Sequence, residues 1–194
     1  LTHRKGDQKF EISQPIPNHK VGIELILGCL TDAEKGVLAN VKEISAVGHR
    51  VVHGGERYSD AMRIDQDVIA CIEECSELAP LHNQPNLIGI QECRNALPGV
   101  PMVAVFDTAF HKTLPRQAYL YAIPYEAYEK YRIRKYGLHG TSHPYLPHRA
   151  APILGKPVNE ANLFPRHLGN RCSMPAARGG KSADTTLLPL YPSH

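Results

Sequence analysis

The sequence has no apolar stretch near the ~20 residues that a membrane-spanning helix requires, so no such span is expected. No charged-then-apolar leader opens it, so no signal peptide is expected either. Basic residues nowhere interleave with aromatics in a run, and the net charge is only +3. Nucleic acid is therefore not an expected partner. The five cysteines (Cys29, Cys71, Cys75, Cys93, Cys172) are odd in number and lack paired spacing. That pattern favours reduced thiols in a cytoplasmic protein over a disulfide framework. Cys71 and Cys75 stand four apart on an expected helix, a spacing open to a metal or redox pair. Val68, Ile72 and Cys75 share one stripe, which favours small buried hydrophobes instead.

What is present fits a soluble globular protein: 194 residues, 42% hydrophobic and 21% charged. That length suffices for one ordinary domain or two small ones. The chain begins at Leu1 rather than Met, and the expectation from this end is a fragment.

The densest chemistry lies in Tyr136-Gly137-Leu138-His139-Gly140-Thr141-Ser142-His143. Glycine lets backbone approach a ligand closely. Thr141 and Ser142 suit the start of a helix whose free N–H groups face an anion. Histidine can donate to charge developing in a transition state. Two earlier stretches share this character: Gly48 to Glu56, and Val103 to His111.

In chain order, residues 8–14 alternate like a half-buried strand that Pro15 and Pro17 end. Asn18 caps a helix carrying Val21, Leu25, Ile26, Cys29 and Leu30. Ile44 to Val52 reads as a strand. Asp65 caps a helix over roughly 66–77, with Asp67 in its first turn. Residues 78–83 read as a turn, with Asn83 and Pro85 starting a second helix to about Leu97. Pro101 to Phe106 reads as a strand buried on both faces of a parallel sheet. Asp107 then sits at its carboxyl end, where open α/β sheets bind ligands. The alternative for Asp107 is a helix or turn cap. Tyrosines between 119 and 131 read as packing. His53 and His143 read as structural donors to backbone. Beyond about 150 the pattern degenerates: eight of sixteen prolines fall in the last 51 residues. Pro147 and Pro152 oppose a helix interior, Pro175 opposes a strand ladder, and 185–194 has no periodicity.

These motifs, in order and spacing, resemble the acetate kinase family, with propionate and butyrate kinases as relatives. The resemblance rests on Gly48 to Gly55, Ala79-Pro80-Leu81-His82-Asn83, Val105 to His111, Tyr119 to Tyr125, Tyr136 to His143 and, more weakly, His167-Leu168-Gly169-Asn170. It implies an α/β, two-domain fold of the actin, sugar kinase and heat-shock ATPase superfamily (ribonuclease H-like), here incomplete. Residues 1–107 would be part of the first domain and 108–194 the start of the second. The reaction implied is ATP + acetate ⇌ acetyl phosphate + ADP with Mg²⁺, and the parent enzyme would be a homodimer.

By resemblance, Arg50 pairs with the acyl carboxylate or transferring phosphoryl group, Asp107 is the essential cleft aspartate, and His139 steadies the transition state. His82 and His167 support the cleft. Val52, Leu81 and Leu138 form a small apolar pocket for the acetate methyl, and Gly169 with Asn170 belongs to a phosphate-binding turn. The family often has phenylalanine at the position of Leu138 and glycine at that of Arg171. Its Asn-x-Gly-Ser-Ser-Ser phosphate loop, Thr-Arg-Ser-Gly-Asp segment, glycine-rich adenosine loop and Mg²⁺-holding glutamate have no counterpart here. The expectation is therefore an inactive or nearly inactive isolated chain. Two alternatives stand beside this: a non-catalytic remnant, and a metal-dependent hydrolase using His49/His53, His139/His143 and Asp107.

Overall fold

The computed structural model describes residues 1–58 and 60–186; most of the unperiodic 185–194 segment lies outside them. The chain opens with an antiparallel hairpin, β1 (Thr2–Lys5) and β2 (Gln8–Glu11), of which the sequence pattern foresaw the second strand. Helix α1 (His19–Leu30) starts where Asn18 accepts from the Val21 N–H, as expected of that cap.

A three-stranded sheet of order β3–β5–β4 forms the centre of the first part. β3 (Val47–Val51) runs parallel to β5 (Met102–Phe106), and β4 (Met62–Arg63) is antiparallel to it. The sheet is therefore mixed, and β5 is fully buried on one face and half-buried on the other. Helix α2 (Gln66–Glu74) follows the Asp65 cap and tightens into a 3-10 turn, Cys75–Glu77. Helix α3 (Pro80–Ala96) begins earlier than the sequence pattern suggested. Pro80 occupies the first helical position, where a missing N–H costs nothing and the ring presets φ. Asn83 is consequently not a cap, and Pro85 sits inside the helix. Val51, Ile64, Val68, Ile72, Ile90, Met102, Ala104 and Phe106 form the core between this sheet and these two helices.

After β5 come a 3-10 turn, Ala109–Thr113, and two short helices, α4 (Arg116–Tyr119) and α5 (Glu126–Tyr131). The tyrosines here do pack: Tyr119 and Tyr128 lie 5.9 Å apart, and the Arg134 guanidinium stands 3.7 Å from the Tyr119 ring. Arg134 is buried and ion-paired with Glu56.

Helix α6 (Ser142–Ile153) starts within the expected pair of residues and continues through Pro147 and Pro152. Thr141 precedes it, but its side chain makes no capping bond. Two small sheets complete the described chain. β7 (His167–Leu168) pairs with β8 (Cys172–Ser173). β6 (Asn162–Leu163), β9 (Pro175–Arg178) and β10 (Lys181–Thr185) form the other, with β9 central. Pro175 is the first residue of β9, a strand position that proline tolerates. Gly179 and Gly180 turn the chain with φ of +57° and +77°, the pairing a two-residue hairpin turn demands.

Candidate functional site

The parallel strands β3 and β5 end together. The Asp107 N–H donates to the Val51 carbonyl at 2.9 Å, extending the ladder by one residue. That register sets Arg50 and Asp107 side by side. The guanidinium donates twice to the carboxylate, Nε to Oδ1 at 3.2 Å and Nη2 to Oδ2 at 2.5 Å. The Asp107 side chain is 2% exposed, whereas that of Arg50 is 60% exposed. An arginine has five N–H donors in a rigid fork. Two face Asp107, so three point elsewhere. Arg50 is thus fixed in orientation and still able to take up an anion.

The segment 137–140 docks onto this strand end. The Gly140 N–H donates to the Asp107 carbonyl at 2.8 Å. A Cβ at Gly140 would lie 2.3 Å from that oxygen, so only glycine fits. Gly137 has φ of +74°, and a Cβ there would enter the His111 ring. His139 itself holds φ of +59°, uncommon outside glycine. His111 anchors the same segment. Its Nε2 donates to the Leu138 carbonyl at 2.9 Å, which leaves Nδ1 to accept from the Ser182 hydroxyl at 2.9 Å.

Ser173 connects two more histidines. Its Oγ lies 2.6 Å from His139 Nδ1 and 2.7 Å from His143 Nε2. His143 Nδ1 is buried without a partner. A buried N–H without an acceptor is costlier than an unused lone pair, so the His143 proton belongs on Nε2. That nitrogen donates to Ser173 Oγ, and the Ser173 hydroxyl donates to His139 Nδ1. The His139 proton is then on Nε2, the nitrogen turned away from Ser173. Burial, with the neighbouring His111, His139 and His167, pushes His143 down to about 4. Burial and the His167 charge also lower His139 below its ordinary 6.5. The chain therefore delivers a neutral imidazole with an Nε2–H donor.

The resemblance-derived residues divide by position. His139 and His167 stack, with ring centroids 3.9 Å apart. His82, on the first turn of α3, is lowered by burial and by the charges of Arg171 and Arg50, with Asp107 opposing. Arg50, Asp107, His82, His139 and His167 thus share one electrostatic neighbourhood. Val52 and Leu138 are buried, but Leu81 is 65% exposed, so an apolar pocket that includes it is open to solvent. Gly169 and Asn170 lie in the exposed turn between β7 and β8, where the Gly169 N–H bonds the Arg171 carbonyl. Arg171 is not among the non-glycine residues of positive φ, so its side chain does not strain this turn.

Three contributors escaped the sequence reading in the roles they hold. Ser173 is one. Thr108 accepts from the Gly54 N–H. Asn83 is fully buried: its Oδ1 accepts from the His53 N–H, and its Nδ2 donates to the His53 and Ile72 carbonyls. It holds the turn that follows β3. His53 and His143 do not donate to backbone as expected. His53 Nδ1 accepts from the Gly55 N–H, and His143 bonds the Ser173 hydroxyl, a partner 30 residues away that the local sequence does not announce.

Among the described residues, no three His, Cys, Asp or Glu side chains come together as a metal site would need. Both Asp107 oxygens already face Arg50. These residues therefore do not by themselves fit a protein-held divalent cation, and nothing gathers the two His-x-x-x-His pairs around Asp107. Among the described residues, no helix is long and apolar enough to cross a membrane.

The acetokinase family model matches residues 1–191. The acetate kinase of Acetivibrio thermocellus is 55% identical over 188 residues, covering 96% of this chain and 47% of that protein. That of Thermotoga maritima is 55% identical over 187 residues, with 96% and 46% covered. The crystal structure of Porphyromonas gingivalis acetate kinase superposes with a TM-score of 0.88 at 43% identity, covering 94% of this chain and 46% of that one. A propionate kinase from Francisella tularensis gives 0.87 at 42% identity, with 95% and 46% covered. The chain spans about half the length of the curated relatives it matches.

Proposed function

The chain belongs to the acetokinase family, and from that membership we propose that it carries the acyl-binding and phosphoryl-steadying half of an enzyme making acetyl phosphate and ADP from acetate and ATP. The observation that carries this reading is the Arg50–Asp107 fork at the joint carboxyl ends of β3 and β5. Asp107 holds the guanidinium still, and its three remaining N–H groups suit a carboxylate or a phosphoryl oxygen. Phosphoryl transfer asks little covalent chemistry of a protein. It needs the two oxygens aligned and the charge on the equatorial oxygens neutralised.

In this reading Arg50 orients the acetate carboxylate. His139 donates from Nε2 to the transferring group, its proton placed there by Ser173 and His143. His82 and His167 flank the path. Val52 and Leu138 meet the acyl methyl. Arg171 and the Gly169–Asn170 turn face nucleotide phosphate. Mg²⁺ in this family would add charge neutralisation at the phosphates; among the described residues no three His, Cys, Asp or Glu side chains gather to hold it. The isolated chain is expected to be inactive or nearly so, because the nucleotide-holding segments of the family lack counterparts in it.

The test is ligand binding by the purified chain, followed through its histidine NMR signals on titration with acetate. The expected result is saturable movement of the His139 and His82 resonances, lost in Arg50→Ala. Movement that persists in Arg50→Ala, or none at saturating acetate, would overturn the reading. Trapping with hydroxylamine checks the activity claim separately: acetyl hydroxamate formed by the chain alone would refute inactivity.

A further inference from the structure

One reactive cluster plays no part in the proposed chemistry. Cys71 and Cys75 stand one helical turn apart, Cys71 within α2 and Cys75 at its end. They are only 3% and 1% exposed. Both nevertheless line a surface cleft of about 410 Å³, together with Gly55, Arg57, Glu74 and Arg132. Glu56 also borders the cleft, but its carboxylate is ion-paired with Arg134. Two guanidinium groups against the Glu74 carboxylate leave the cleft suited to an anionic visitor.

The two thiols are not equivalent. The hydrogen bond from Cys75 holds Cys71 below the ordinary thiol value; Arg57 and Arg132 reinforce that, against burial and Glu74. The same bond and burial push Cys75 up, so Cys75 keeps its proton. A thiolate beside a protonated thiol is the arrangement of an attacking and a resolving sulfur.

We propose that Cys71 and Cys75 form a thiol–disulfide exchange site for an acidic low-molecular-weight disulfide, with Cys71 attacking and Cys75 resolving. The Cys71 thiolate attacks one sulfur of the incoming disulfide. A mixed disulfide forms, the original S–S bond breaks, and the first leaving thiolate takes a proton from water. Cys75 then gives its proton to water and attacks Cys71 Sγ. The intramolecular disulfide forms and the second thiolate leaves. The protein pair is oxidised by two electrons, and the small disulfide is reduced to two thiols.

The site is mechanically tied to the strand end. Cβ atoms four apart on a helix stand about 5–6 Å from each other, whereas a disulfide needs about 3.5–4.5 Å. Closure must therefore shift the 3-10 turn Cys75–Glu77. Gly55, with φ of +61°, leaves Cys75 Sγ so little room that a Cβ there would lie 3.0 Å from it. In its thiol form Cys71 Sγ donates to the Gly54 carbonyl at 3.6 Å, a bond that ionisation or oxidation removes, and the Gly54 N–H donates to Thr108 Oγ1 at 3.2 Å. Oxidation thus reaches the turn between β3 and the residue after Asp107. The exchange itself stands independently of the acetate chemistry proposed above.

The experiment treats the purified, reduced chain with oxidised glutathione near neutral pH and maps the products by tandem mass spectrometry. The expected product in the native chain is a Cys71–Cys75 disulfide, and in Cys75→Ser one glutathionyl group retained on Cys71. Arg57→Ala with Arg132→Ala should slow the reaction about tenfold, and should slow a neutral aromatic disulfide less, because that reagent loses only the thiolate fraction that the two cations sustain and not the attraction of its own charge. Modification confined to Cys29, Cys93 or Cys172, with Cys71 and Cys75 intact until urea unfolds the chain, would overturn the proposal. So would first attack by Cys75. The native-chain result does not depend on any variant folding.

Discussion

The Gly140 N–H donates to the Asp107 carbonyl at 2.8 Å, and a Cβ on Gly140 would stand 2.3 Å from the same oxygen. One backbone contact therefore couples the end of β5 to the segment that carries His139. Gly140→Ala should force these apart and destabilise the chain by about 1–3 kcal/mol, the usual cost of overpacking. Urea unfolding would register a lower midpoint with an unchanged slope. An unchanged midpoint would mean that the two segments are not docked.

Acid should act through three buried histidines. Burial pushes His53, His111 and His143 from 6.5 down to about 4. Between these values the unfolded chain binds protons that the folded chain refuses, so stability falls as pH falls. Each such histidine contributes up to about 1.4 kcal/mol per pH unit inside that window and nothing above it. Urea midpoints measured from pH 8 to pH 4 should be flat above about 7 and drop steeply below about 6.5. A flat profile down to pH 4 would contradict the burial of these rings.

Ser173→Ala removes the hydroxyl between His139 Nδ1 and His143 Nε2. Two buried or half-buried ring nitrogens lose their partner, a loss of about 1–3 kcal/mol. The more specific readout is the tautomer. Nitrogen-15 NMR of the native chain should show the His139 proton on Nε2, and the variant should show a mixture of both forms. A His139 proton on Nδ1 in the native chain would reverse the donor order derived for this chain of groups.

Asn83→Ala should be among the more damaging single changes in α3. Its amide satisfies the N–H and carbonyl of His53 and the carbonyl of Ile72, all within the core. Leaving buried backbone groups unpaired costs about 1–3 kcal/mol apiece. Amide hydrogen exchange at His53 should accelerate along with the fall in stability. Exchange unchanged at His53 would mean that Asn83 does not hold this turn.

Legibility in the sequence followed the range of the interactions. Asn18 and Asp65 were readable as caps because a cap bonds an N–H only three residues ahead. The apolar run of β5 and the position of Asp107 at its end were readable for the same reason. Asn83 was misread because its three bonds reach residues 11 and 30 positions away, and composition carries no trace of that. Pro175 looked like a strand breaker because its place at the first residue of β9 depends on a partner strand that lies later in the chain. Gly179-Gly180 did carry a local hairpin signal, which the disordered look of the surrounding sequence hid.

The sequence by itself determined the periodic elements, the glycine-bounded histidine clusters and, through motifs in matching order, the family. Those features depend on local backbone preference and on residue type, which one strand of text contains. Only the tertiary structure decided that Arg50 is held by Asp107, that Ser173 sets the His139 proton, and that the Cys71 thiol lies in a cleft with Arg57 and Arg132. Each of these joins residues through space, across strand register or helix docking. Burial then sets their protonation, and burial exists only once the chain has packed.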